Sequence, residues 1–135
     1  MSNWREKSIQ NLMSADLLIG EGFYSASIHC SYYSNIQLIL HLLQKKFPSL
    51  DEFDKYQRKG FKKNKGFHNW IINDVVKNLF KINNEDFRYV SNNIRKLKKL
   101  RIEADYKDII FDESKANVAK NYALHINKIL MKLFE

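Results

Sequence analysis

Arg101 occupies a position that its neighbours reserve for apolar side chains. Phe87, Val90, Ile94, Leu97, Arg101 and Ala104 follow one another at intervals of three and four, the spacing of one helix face. A guanidinium turned into a helix interface must be paired or must line a cleft open to water, because a lone buried charge costs several kcal/mol. Asp105 stands one turn on at i+4, with Tyr106 beside it. Together the three make an anion-binding set: the guanidinium can grip a phosphate through two parallel bonds, the carboxylate can fix the guanidinium, and the phenol can donate to a further oxygen. The plainer role is that Arg101 snorkels to the surface, or braces the fold through Asp105.

The remaining chemistry is sparse. Of the four histidines, His29, His41 and His125 fall on apolar helix faces and read as core or interface residues. His68 opens a helix just after a basic stretch and could face the Arg101 cleft. None forms a metal-ligand pair with the single cysteine, Cys30, or a recognisable His-Glu motif, so neither a metal nor another cofactor is expected. A glycine-rich phosphate loop, carboxylates paired at catalytic spacing and a nucleophile elbow are all missing from the sequence. A tyrosine of ordinary pKa is a poor general base near neutral pH, so Tyr106 suits binding better than proton transfer.

Charge points the same way. The chain has a formal net charge of +8. Lys55, Arg58, Lys59, Lys62, Lys63 and Lys65 come without an intervening acid, interleaved with Tyr56 and Phe61, and Arg95, Lys96, Lys98 and Lys99 sit on the helix that carries Arg101. Such clusters suit phosphate-backbone binding through counterion release, with aromatic rings available to stack on bases. A lysine-rich solvated surface is the competing explanation.

The elements that must position these residues are helices. One Pro and 4 Gly in 135 residues leave few turn signals, which favours long helices over many strands, and the length suits one domain with a modest core. The spacing predicts a first helix over 3–19, with Ile9, Leu12, Met13 and Asp16 on one face and Gly20-Glu21-Gly22 as its stop. A core helix is predicted over 23–47, ended by Pro48, with Ile28, Tyr32, Ile36, Ile39 and Leu43 on one face. A third begins near Phe67 with Trp70, Ile71, Val75 and Phe80. A fourth follows Asn83-Asn84, and a fifth, capped by Asp112, buries Ala119, Ala123, Ile126, Leu130 and Leu133. Residues 48–65 read as a long basic loop between the second and third helices. The run from Phe23 to Gln44 has no Asp, Glu, Lys or Arg, but its serines, Asn35, Gln37 and histidines are too many for hydrocarbon, so no membrane span is expected. The amphipathic start at Trp4 and the lone thiol of Cys30 suit a reducing cytoplasm.

The string Leu100-Arg101-Ile102-Glu103-Ala104-Asp105-Tyr106 resembles the signature helix of the HEPN superfamily, small helical domains of bacterial and archaeal RNA-targeting and toxin–antitoxin systems. Leu12, Ala15 and Leu18 before Gly20 and Gly22, then Ala26 and Tyr32-Tyr33 ahead of Ile36, Ile39 and Leu40, resemble that family's paired opening helices. The resemblance covers most of the chain outside residues 47–65. It implies an all-α, antiparallel, four- to five-helix up-and-down bundle, dimeric, with the Arg101 helices meeting near the dimer axis. Active members are metal-independent ribonucleases that pair an Arg with a His four to six residues later; here that window ends in Tyr106, Lys107 and Asp108. The chain instead resembles the branch with an Arg, Ala-Asp-Tyr pattern, in which a histidine is often found at a place comparable to His68. The expectation is a nucleotide- or RNA-binding subunit of a toxin–antitoxin or defence module, acting with a nucleotidyltransferase-type or antitoxin partner. The alternatives are an endoribonuclease toxin using Arg101 with Tyr106 or His68, and a dimeric scaffold in which Arg101 and Asp105 are structural.

Overall fold

The computed structural model describes residues 3–63 and 66–134, all of whose regular structure is helical. Six helices run in order: α1 (Trp4–Gly20), α2 (Tyr24–Gln44), α3 (Leu50–Lys63), α4 (Phe67–Ile82), α5 (Asn84–Tyr106) and α6 (Glu113–Phe134).

The termini follow from local chemistry. Gly22, at φ +82°, lets the chain leave α1 through a left-handed turn, with its N–H on Ile19 O and the Phe23 N–H on Leu18 O. The Asn83 and Asp112 side chains accept from the N–H groups of Asp86 (3.1 Å) and Lys115 (2.9 Å), capping α5 and α6, the latter as the sequence predicts. The second helix stops at Gln44 rather than 47. Lys46 and Phe47 bond back three residues to Leu43 and Gln44, a tightened last turn ahead of Pro48.

The expected long loop between the second and third helices is a helix. Ser49 caps α3 by accepting from the Glu52 N–H at 3.2 Å, and Asp51 and Glu52 lie in the first turn. Ser49-Leu50-Asp51-Glu52 has the S-x-x-E pattern of a helix start, outweighed in the sequence by the basic run that follows it. Phe53 is buried and Tyr56 half-buried on the inner face of α3, while Gly60 is closed over by Trp70 of α4. A Cβ built on Gly60 would lie 2.7 Å from Trp70 Cγ, so glycine is what lets these helices approach.

The core forms around α2. Ile28, Tyr32, Ile36, Ile39 and Leu43 meet Ile71 and Val75 of α4, Val90, Ile94 and Leu97 of α5, and Ala119, Ala123, Ile126 and Leu130 of α6. Several of its polar residues are bonded inside the same chain, while Ser31 Oγ and Asn35 Oδ1 are buried without a partner among the described residues. Ser27 Oγ donates to Ala15 O at 2.7 Å, Ser8 and Ser34 each donate to the other's carbonyl, and Asn35 Nδ2 donates to Asn127 Oδ1 at 2.7 Å and to Ala123 O at 3.0 Å. The uncharged stretch is thus explained by neighbours within one chain, since α1, α4, α5 and α6 all pack on α2. Among the described residues no helix is long and apolar enough to cross a membrane.

Candidate anion-binding cleft

Arg101 is where the seam puts it, facing inward from α5 and only 7% exposed. Its guanidinium carbon lies 5.0 Å from the Tyr32 ring centroid, 5.5 Å from Tyr33 and 5.9 Å from Tyr106, so aromatic faces replace water on several sides. Asp105 Oδ2 is 3.6 Å from Arg101 Nη1, an ion pair longer than a direct hydrogen bond. The same oxygen is 2.8 Å from His29 Nδ1 of α2, its shorter contact. Asp105 is therefore shared, and Arg101 Nε has no hydrogen-bond partner among the described residues.

His68 arrives from another element. It stands in the first turn of α4, where its Nδ1 is 3.0 Å from the Tyr32 hydroxyl and its ring meets Tyr33 edge-on at 5.4 Å. Burial, reinforced by the positive charges of Arg101 and Lys98, pushes its pKa down to about 4, so the imidazole is neutral at physiological pH. Burial also raises the Tyr32 pKa, and the phenol keeps its proton. A phenol is the stronger acid of the two and a neutral imidazole nitrogen the better acceptor, so Tyr32 donates to Nδ1 and the His68 proton stays on Nε2.

Lys98, one turn before Arg101, completes the group. Its Nζ is 2.6 Å from Asn69 Oδ1, and burial, with Arg101 and Arg95 adding like charge, lowers its pKa. Arg101, Lys98, His68, Gly66, Phe67 and Phe61 line a cavity of about 360 Å³. The first turn of α4 forms part of this wall. First-turn N–H groups have no intrahelical acceptor and carry the positive end of the helix dipole. The two charged residues that line the space, Arg101 and Lys98, are both cations, so its chemistry is that of an anion receptor.

Other sequence-predicted residues are distributed more widely. Tyr106 is 76% exposed, with its ring at the outer side of the guanidinium. Lys55 and Arg58 pair with Asp51 (3.4 Å) and Asp54 (2.9 Å), acids one turn earlier on α3 that neutralise part of the basic stretch. Lys59 and Lys62 are exposed on α3; Lys65 and the side chain of Lys63 lie outside the described residues. Arg95 bonds to Asn73 Oδ1 at 3.0 Å, and Lys99 is exposed. Asp16 pairs with Lys120 of α6 at 2.8 Å, well away from the cleft residues in the fold. His29 and His125 are not in the core of the chain but exposed, on Asp105 and against the Tyr89 ring respectively. Sequence reasoning missed Tyr32, Tyr33 and Asn69 as cleft residues, since nothing local links their helices to Arg101. Among the described residues no group of His, Cys, Asp or Glu could hold a metal ion.

No family model matches the chain, and neither a curated protein nor a solved structure matches it.

Proposed function

We propose that this protein binds the phosphate groups of RNA or a nucleotide in the cleft between α4 and α5, as an HEPN-like, cytoplasmic helical-bundle subunit of a toxin–antitoxin or defence module. The observation that supports the reading is the buried Arg101, which lines a cavity together with Lys98, neutral His68 and the start of α4. A phosphate has oxygens enough for all of these donors. The aromatic rings of Phe61 and Phe67, stacked at 4.9 Å on the cavity's edge, offer a surface for a base. The resemblance of Leu100 to Tyr106 adds a nucleotidyltransferase-type or antitoxin protein as partner.

A second reading, a metal-independent endoribonuclease, draws on the meeting of Arg101 with a histidine, His68, from a distant helix. Against it stands the Tyr32 bond. With Nδ1 accepting and Nε2 protonated, His68 is a donor, and it becomes a base only by exchanging tautomers. RNA incubated with the protein in EDTA distinguishes the two. Binding without cleavage, weakened by Arg101→Ala and by His68→Ala in a folded protein, is the expected result; cleavage abolished by those variants would replace it. If Arg101→Ala only lowers stability while affinity stays unchanged, Arg101 is structural and the chain is a scaffold.

A further inference from the structure

An apolar groove of about 430 Å³ runs between α1 and α6, and none of its residues lines the Arg101 cleft. Ile9, Leu12 and Met13 of α1 and Leu124 and Met131 of α6 form its walls, over a floor of Leu38. Ile9 is 49% and Met13 62% exposed, a costly arrangement for a helix facing only water.

The α1 wall has a particular order. Arg5, Ile9, Leu12 and Asp16 line it at intervals of four, three and four, a pattern that reads the same in both directions. The α6 wall repeats it with Lys120, Leu124, Asn127 and Met131. One end of the α1 row is a cation and the other an anion. Turned end over end, the row is therefore complementary to itself: Arg5 falls opposite Asp16, and Ile9 opposite Leu12. That is the requirement of a two-fold contact, in which residue i meets j and j meets i.

We infer that a second copy of this chain occupies the groove, with α1 packed antiparallel against its counterpart about a two-fold axis near residues 10 and 11. The two α1 helices and two α6 helices then form an intermolecular four-helix layer with the apolar rows inside. Each Arg5 joins an Asp16–Lys120 pair of the other copy, the Asp16 side chain being mostly exposed and able to accept a second cation. The interface leaves the Arg101 cleft open to its ligand. It places the dimer axis away from α5, unlike the arrangement the HEPN resemblance implies, and it stands independently of the phosphate-binding reading.

Light scattering and sedimentation on the full chain test it. At micromolar concentration the wild type should have twice the 16.1 kDa chain mass. Ile9→Lys with Met13→Lys should be a folded monomer, with wild-type helicity by circular dichroism. Arg5→Glu should weaken dimerisation by about tenfold, the size of a rim charge reversal, and adding Asp16→Arg together with Lys120→Glu, which inverts all three charges and keeps the pair within each chain, should restore it. In a Cys30→Ser background, Ile9→Cys combined with Leu12→Cys, positions that face each other across the axis, should oxidise to a covalent dimer. A wild-type monomer, a dimer that survives the double lysine variant, or a charge reversal that fails to restore association would each overturn the inference. So would occupation of the groove by a co-purified apolar molecule in a monomeric protein.

Discussion

The Tyr32 hydroxyl lies 3.0 Å from His68 Nδ1, joining the central helix to the first turn of α4, and the greater acidity of the phenol makes it the donor, which leaves the imidazole proton on Nε2. The first prediction follows from it. Nitrogen NMR of the ring should show the proton on Nε2, with Nδ1 as acceptor. Tyr32→Phe should let the two tautomers exchange; a wild-type spectrum with Nδ1 protonated would make His68 a candidate base instead.

Stability should depend on pH through the same residue. The His68 pKa is about 4 in the folded chain against 6.5 ordinarily, so between these values the unfolded state binds more protons. Stability is therefore fully present above about pH 6.5 and is lost as the pH falls towards 4. Because His68 is only partly shielded from solvent, the loss should be about 1–2 kcal/mol, less than the full shift implies. Urea unfolding of wild type and His68→Asn across this range should give a steeper decline for wild type. A phosphate ligand should raise the His68 pKa, which binding measured against pH would register as increased affinity below about pH 6.

Arg101→Ala should weaken RNA or inorganic phosphate binding by roughly ten- to a hundredfold, the value of one charge-assisted bond pair. Arg101→Lys should recover only part of it, because an ammonium cannot present the planar fork. Isothermal calorimetry measures both, and equal affinities for Arg, Lys and Ala at this position would remove the cleft from the binding site.

The exposed lysines should contribute by charge alone. Replacing Lys59, Lys62 and Lys99 with Ala should shallow the slope of log affinity against log salt by about two to three units, near one for each phosphate no longer neutralised. Lys55→Ala and Arg58→Ala should change it less, since each already pairs with an acid on α3. Fluorescence anisotropy at several salt concentrations distinguishes the two groups.

Glycines near the ends of helices should respond in opposite directions. Gly20→Ala meets open space and should gain about 0.5–1 kcal/mol from helix propensity, whereas Gly22→Ala, at positive φ, should lose about 1–2 kcal/mol. Gly60→Ala should cost about 1–3 kcal/mol by driving a methyl into the Trp70 indole. Thermal or urea unfolding ranks the three, and a neutral Gly60→Ala would mean that α3 can move away from α4 freely.

The sequence alone determined the helices whose signals are local. Periodic apolar faces, the Asn83 and Asp112 caps and the Gly22 exit each act within a few residues, and the inward turn of Arg101 is set by its own helix's repeat. The same locality misled where the signals conflicted, and residues 48–65 read as a loop because the basic run after Pro48 outweighed the Ser49 cap. What faces Arg101 was decided only by tertiary structure. Tyr32 and Tyr33 lie more than sixty residues away in sequence and His68 more than thirty, and no pattern in one helix records the side chains of another. The depressed His68 pKa, the division of Asp105 between Arg101 and His29, and the groove beside Ile9 and Met13 exist only once the helices pack, because burial and neighbouring charge are properties of the assembled fold.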